Sequence, residues 1–212
     1  MFINASAENI TVAESGQRAD LDVVRTISQY PVALIGDVLQ RMGMMASAIH
    51  HVAGNRSFYG TILPVVTREG DNLAIHRALD DAQPGDVLVI NGNGEVNRAV
   101  FGDLLGEICL AKKVSAVVID GAVRDVEELQ RMGLPTYARA VNPAGPSKNG
   151  PGTVGYPVAC GNVVCYPGDA ILGDLDGIIV IDKEVLAALP ARLQAQNEFE
   201  IAFREKVRAN TA

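Results

Sequence analysis

The stretch GDVLVINGNGEVNRAVFGDLLGEICLAKKVSAVVIDGAVRD, residues 85–125, decides the fold. Within it Asp86–Ile90 (DVLVI) and Ser115–Ile119 (SAVVI) are short and almost wholly apolar. Strands buried on both faces of a sheet read this way. Between them Gly102–Lys112 carries apolar residues at helical spacing, which predicts Leu104, Leu105, Ile108 and Cys109 facing inward. Asp120-Gly121 then reads as a turn, and Val126–Met132 as a helix ended by Gly133-Leu134-Pro135. Strand, helix, strand, helix is the pattern of a parallel unit, because parallel neighbours need a crossover connection.

Upstream, residues 19–30 read as a short helix with Leu21, Val24, Ile27 and Ser28 on one face, stopped by Pro31. A second helix around Ala33–Met42 ends at Gly43. Gly60–Val66 reads as a strand, and Asn72–Ala82 as a helix closed by Gln83-Pro84-Gly85. Downstream, Asn142–Gly155 is rich in Gly, Pro, Ser and Asn and reads as a long loop. Short strands follow at Pro157–Val158, Gly161–Tyr166, Asp169–Gly173 and Gly177–Ile181, before a helix from about Lys183 to Arg208. No repeat or linker divides the chain, so residues 1–212 read as one mixed α/β domain with a partly parallel sheet.

Composition narrows the function. Hydrophobic residues make up 48% of the chain, enough for a core, so wholesale disorder is excluded. No window of about 18 apolar residues suggests a membrane span. The start, Met1–Glu8, lacks the basic and apolar regions of a secretory signal. Eighteen basic against 25 acidic residues give a net charge of −7, which has no global attraction for nucleic acid or anionic lipid. Cys109, Cys160 and Cys165 make neither a disulfide framework nor a zinc set, and read as buried thiols of a reducing cytoplasm.

Open α/β sheets bind ligands beyond the carboxyl ends of their parallel strands. Two such ends are readable, Asn91–Phe101 and Asp120–Asp125. Gly92–Asn97 resembles half of a dinucleotide fingerprint, but Asn97 stands where the third glycine belongs, so a Rossmann site is not expected. The helix start at Gly102 offers the amides of Leu104 and Leu105 as a carboxylate cradle, unless water or Asp103 closes it. Asp125 and Glu128 are spaced as a capping box, which competes with any catalytic role. Taken together, Asp103, Asp125 and Glu128 supply oxygen donors suited to Mg²⁺ or Mn²⁺. Arg124 adds a planar fork for a carboxylate. A cation beside an arginine suits a 2-oxo acid. His50 and His51 have no ligand spacing, His76 sits within a helix, and all three read as surface or core residues. Ser147-Lys148 reads as a solvated turn able to touch an anion.

Asp103, twenty residues, Arg124-Asp125, two residues and Glu128 resemble the D-x20-R-D-x2-E/D signature of the RraA-like family, specifically its class II 4-hydroxy-4-methyl-2-oxoglutarate / 4-carboxy-4-hydroxy-2-oxoadipate aldolases. GDVLVINGNGE (85–95), LPTYAR (134–139) and PGDAILGDLDGIIVI (167–181) extend the likeness from about Pro31 to the C-terminal helix. The resemblance implies a β/β/α swivelling-type sandwich, assembled as a homotrimer or hexamer with active sites between subunits. It implies a divalent metal, Mg²⁺ or Mn²⁺, ligated directly by Asp125 and through water by Asp103 and Glu128. Arg124 binds the oxo-acid end and steadies the enolate, and Gly102, Leu104 and Leu105 frame the pyruvyl carboxylate. Glu198 or Glu200 of a neighbouring subunit is a candidate to complete the site. The implied reaction is retro-aldol cleavage to pyruvate and a second oxo acid in aromatic compound catabolism, with oxaloacetate decarboxylation as a side activity. The family's other branch inhibits ribonuclease E and lacks a full metal set. A menaquinone methyltransferase role finds no support in the glycine-rich loop.

Overall fold

A computed structural model describes residues 8–14 and 16–210, so the reading of Met1–Ala7 lies outside the described residues. The chain opens with strand β1 (Ile10–Val12) and helices α1 (Leu21–Ile27) and α2 (Val32–Val38). Asp20 caps α1, its carboxylate accepting from the Asp22 and Val23 amides. Strands β2 (His50–Ala53) and β3 (Phe58–Thr67), helix α3 (Leu73–Asp81) and strands β4 (Asp86–Asn91) and β5 (Ala99–Phe101) follow. Then come α4 (Asp103–Ala111), β6 (Ala116–Val123), α5 (Val126–Met132) and β7 (Thr136–Val141). The last part holds β8 (Gly152–Val154), β9 (Val158–Cys160), β10 (Val163–Cys165), β11 (Ala170–Asp174), β12 (Gly177–Ile181) and α6 (Leu189–Ala209), the last preceded by a 3₁₀ turn at Leu186–Ala188.

Ten strands make one sheet with a spine in the order β1-β8-β3-β4-β6-β7-β2. The central pairs β3–β4, β4–β6 and β6–β7 are parallel, as the apolar runs predict. The β9–β10 hairpin stands apart as a second sheet. Alternation along the central strands separates two cores. Leu88, Ile90, Val117 and Ile119 pack with residues of α3, α4 and α5. Val87, Val89, Ala116 and Val118 pack instead with Val158, Cys160 and Cys165 of the hairpin. Helices, large sheet and small sheet are therefore three layers, the expected sandwich. All three cysteines are buried and free, and burial pushes their thiols up.

Several expectations are corrected. Asp120-Gly121 is no turn: β6 runs on to Val123. A carboxylate is tolerated inside that strand because Arg139 of β7 grips it with two nitrogens and the Gly161 amide donates to it at 3.0 Å. Burial raises the Asp120 carboxyl, but those bonds and the Arg139 charge outweigh it, and the group lies below its ordinary range. The 142–155 loop contains β8, and residues 183–188 precede the final helix rather than begin it. Leu104 does not face inward: it is 71% exposed, whereas Leu105 and Cys109 are buried.

Candidate active site

β5 was hidden in the sequence, and it brings the site together. Its three residues run parallel beside the end of β6, Ala99 opposite Ala122 and Phe101 opposite Val123. The Arg124 amide closes the pair by donating to the Phe101 carbonyl at 3.0 Å. Gly102 and Asp103 thus leave one strand where Arg124 and Asp125 leave its neighbour.

Asp125 occupies the N-cap position of α5 in the left-handed region, φ 55°, and its side chain makes no capping hydrogen bond. The capping-box reading is therefore corrected. In this backbone the Asp125 carboxylate turns towards α4: Oδ2 forms an ion pair with Arg124 Nε at 3.1 Å and accepts from the Asp103 amide at 3.4 Å. Both side chains stay about one-third exposed. A Cβ at Gly102 would collide with Asp125 Oδ2 and lie 3.0 Å from Arg124 Cγ. A Cβ at Gly145 would lie 2.7 Å from Arg124 Nη1. Two glycines therefore leave the slot in which the guanidinium rests.

The first turn of α4 lies against this pair. Asp103 Oδ1 accepts from the Leu104 amide at 2.7 Å, so a substrate carboxylate at that amide competes with Asp103 itself. The competing expectation that Asp103 closes the helix start holds in that respect. Glu128 pairs with Arg131 at 2.5 Å on the outer side of α5. Glu198 and Glu200 accept from Gln194 and Gln196 along α6. The fold thus joins Gly102, Asp103, Arg124 and Asp125, sets Glu128 one turn away, and places the α6 glutamates on another element. Among the described residues no three His, Cys, Asp or Glu side chains form a metal-holding group.

A cavity of about 120 Å³ opens beside Gly102, Asp103 and Arg124. Its other lining includes Asn72, His76 and Lys148, of which the sequence reading assigned His76 only a surface or core role and Lys148 a place in a solvated turn able to touch an anion. Asn72 and His76 are 4% and 6% exposed, and Asn72 Oδ1 and His76 Nδ1 have no hydrogen-bond partner. Burial, with the Lys148 ammonium nearby, lowers the His76 pKa against the opposing pull of Asp80. The available signal was spacing: residues 72 and 76 are four apart at the start of one helix, hence on one face. A larger groove of about 640 Å³ lies between Tyr30, Phe58 and Asp174, but its carboxylate Asp174 already accepts from the Val32 amide. Chemistry-bearing groups converge at the smaller cavity.

Residues 32–180 match the family model described as RraA-like, Aldolase/RraA. The chain belongs to the RraA-like family. A Halalkalibacterium halodurans protein, whose name carries 4-hydroxy-4-methyl-2-oxoglutarate aldolase as a provisional activity, is 34% identical over 166 residues, covering 78% of this chain and 79% of that one. A solved structure named as the RNA-processing inhibitor RraA of Thermus thermophilus is 27% identical, with a TM-score of 0.67, covering 72% of this chain and 92% of that one. Streptomyces coelicolor RraAS2 shares the RraA-like fold at 24% identity with a TM-score of 0.79, covering 89% of this chain and all of its own.

Proposed function

We propose that the protein is a divalent-metal-dependent aldolase that cleaves a 4-hydroxy-2-oxo di- or tricarboxylic acid, such as 4-hydroxy-4-methyl-2-oxoglutarate or 4-carboxy-4-hydroxy-2-oxoadipate, to pyruvate and a second oxo acid. One observation carries the reading: Arg124 and Asp125 are held side by side against the amide end of α4, with glycine at 102 keeping the slot open. Family membership and the name of the halodurans relative support it.

The donor set fits a strongly hydrated cation. Mg²⁺ takes one or two carboxylates and keeps several waters, so it needs no three-residue cage. Asp125 would hold Mg²⁺ or Mn²⁺ directly, with Asp103 and Glu128 acting through water. When bound, such an ion polarises the 2-keto group as a Lewis acid. Arg124 orients the oxo-acid end and offsets the negative charge that develops on the enolate oxygen. The amides of Leu104 and Leu105 receive the carboxylate once Asp103 Oδ1 gives way. Because the same enolate follows loss of CO₂ from oxaloacetate, decarboxylation is an expected side activity. No lysine Schiff base is required, so borohydride with pyruvate should leave the protein unlabelled. The site would work in a cytoplasmic trimer or hexamer, with Glu198 or Glu200 of a neighbour approaching it.

The test is pyruvate release from a panel of 4-hydroxy-2-oxo acids and from oxaloacetate, with and without Mg²⁺ or Mn²⁺. Turnover that survives thorough chelation would remove the metal from this reading. The likeness to the Thermus RNA-processing inhibitor favours a second reading, a non-catalytic regulator of ribonuclease E. Tight binding to a ribonuclease with no metal-stimulated turnover would select it.

A further inference from the structure

The amino ends of the parallel strands carry a second feature, the groove of about 640 Å³ beside Phe58. Phe58 opens β3, and Ser115 and Pro135 stand just before β6 and β7. Arg124 follows the other end of β6, so the groove lies a strand length, roughly 25–30 Å, from the Arg124–Asp125 pair. Cavities that hold small molecules run to roughly 300–1,000 Å³, so there is room for one here.

The walls are pinned from beneath. The Tyr137 hydroxyl is shared between the Arg56 and Asp174 carbonyls, donating across 2.7 and 2.9 Å, which ties the segment before β3 to the end of β11. Burial and the Asp174 charge push that phenol up to about 12, so it stays a donor. Phe58 meets the Tyr137 ring edge-on, centroids 5.3 Å apart, and a Cβ at Gly173 would collide with the Phe58 ring. Asp174 Oδ2 accepts from the Val32 amide at 2.9 Å, which fastens the third wall, residues 28–32. A groove fixed before binding spares a ligand the cost of ordering it.

The lining describes that ligand. Among the described residues that line the groove none is Lys, Arg or His, so an anion gains no partner. Asp174 is the one carboxylate among them, and its Oδ1 is taken too, by the Asp176 amide at 2.9 Å, which leaves little of its charge for a cation. What remains is hydrogen-bonding capacity. The side chains of Gln29, Asn55, Ser57 and Ser115 and the hydroxyls of Tyr30 and Tyr59 make no hydrogen bond to other described residues. Side-chain amides and hydroxyls both donate and accept. Tyr30 and Tyr59 are half-buried and Phe58 is buried, so aromatic surface lies among these polar ends. The matching ligand is uncharged, carries hydroxyls around its rim and offers an apolar ring face.

We infer that this groove is a binding site for a neutral sugar, its C–H face against tyrosine and its hydroxyls on Asn55, Ser57 and the neighbouring polar side chains. The site is separate from the catalytic pair and stands whether or not the chain is an aldolase.

The test uses the full chain, with saturation-transfer NMR to detect binding and calorimetry to measure it. The probes are D-glucose, D-xylose and maltotriose, with glucose 6-phosphate as the charged match. At least one neutral sugar should bind with a Kd of about 0.1–10 mM, and glucose 6-phosphate should bind at least roughly tenfold more weakly than the best of them. Maltotriose binding more tightly than glucose marks an oligosaccharide as the occupant, and equal affinities mark a free sugar; both support the site. Asn55→Ala and Ser57→Ala remove exposed side chains that hold nothing in place, so both should melt like the wild type. Each should weaken binding about three- to tenfold, the size of a neutral hydrogen bond. Ser57→Trp, which fills the groove from the same exposed position, should abolish binding. The site is overturned if no neutral sugar binds by about 50 mM, if glucose 6-phosphate binds as tightly as the best neutral sugar, or if all three variants bind like the wild type.

Discussion

Replacing Asp125 by Asn removes a negative charge and little else. Asn tolerates the left-handed backbone at this position, and no side-chain capping bond is lost. Asp125→Asn should therefore melt within a few degrees of the wild type. A hard divalent cation needs the charge, so Mn²⁺ binding by calorimetry should weaken sharply and oxaloacetate turnover should nearly vanish. Near-normal turnover would remove Asp125 from the metal site. Arg124→Lys keeps the charge but loses the planar two-point grip, and it should also fold with turnover reduced steeply. Gly102→Ala tests the slot itself. The backbone there, φ −163°, accepts any residue, but the added methyl meets Asp125 Oδ2 and Arg124 Cγ. Both can shift, so stability should change by no more than about 1 kcal/mol, while turnover falls at least roughly tenfold. Thermal melting beside oxaloacetate turnover reads all three variants.

Asp71 joins two elements by its charge. Burial raises its pKa, but hydrogen bonds from Asn149, Ser147, Leu73 and Gly150 outweigh that and hold the group below its ordinary 3.8. A depressed carboxyl contributes stability that is complete above the unfolded value and lost as pH falls through the folded one. Melting temperature should therefore drop below about pH 4, and Asp71→Asn should flatten that part of the profile while lowering stability at neutral pH. Unchanged acid dependence in the variant would show that Asp71 carries none of it. The same elements show what could be read from sequence. β4 and β6 were legible because strands covered on both faces become continuous apolar runs. β5 was not, because three residues carry no period. The end of β6 was misread because a buried aspartate mimics a turn until its partner Arg139, on the next strand, is known. Asp103, Arg124 and Asp125 stood out by their place beyond two readable strand ends and by the family resemblance. Asn72, His76 and Lys148 meet only because Asp71 folds a loop about 75 residues away back onto α3, which no local pattern encodes.

At the scale of the whole molecule, α6 is half anchored. Leu189 and Leu193 are buried and the helix packs on α1 and α2, while Phe199, Ile201 and Phe203 farther along are exposed. Phe199 and Phe203 are four residues apart and so share a face. Covering large apolar side chains on a neighbouring copy would contribute roughly 1.5–3 kcal/mol for each one fully buried. That face belongs to the same outer half as Glu198 and Glu200, so one docking event would bury the phenylalanines and deliver a carboxylate to the neighbour's site. Removing residues from Gln196 onward leaves Leu189 and Leu193 in place, and the truncated chain should keep its fold by circular dichroism. Sedimentation should then show a smaller assembly than the trimer or hexamer expected of the full chain, and turnover should fall much further than melting temperature. Single Glu198→Gln and Glu200→Gln variants, which keep the helix and its apolar face, should retain the assembly, with turnover lost in whichever one completes the site. A truncated protein with full activity would mean that neither glutamate takes part and that each subunit's site is complete in itself.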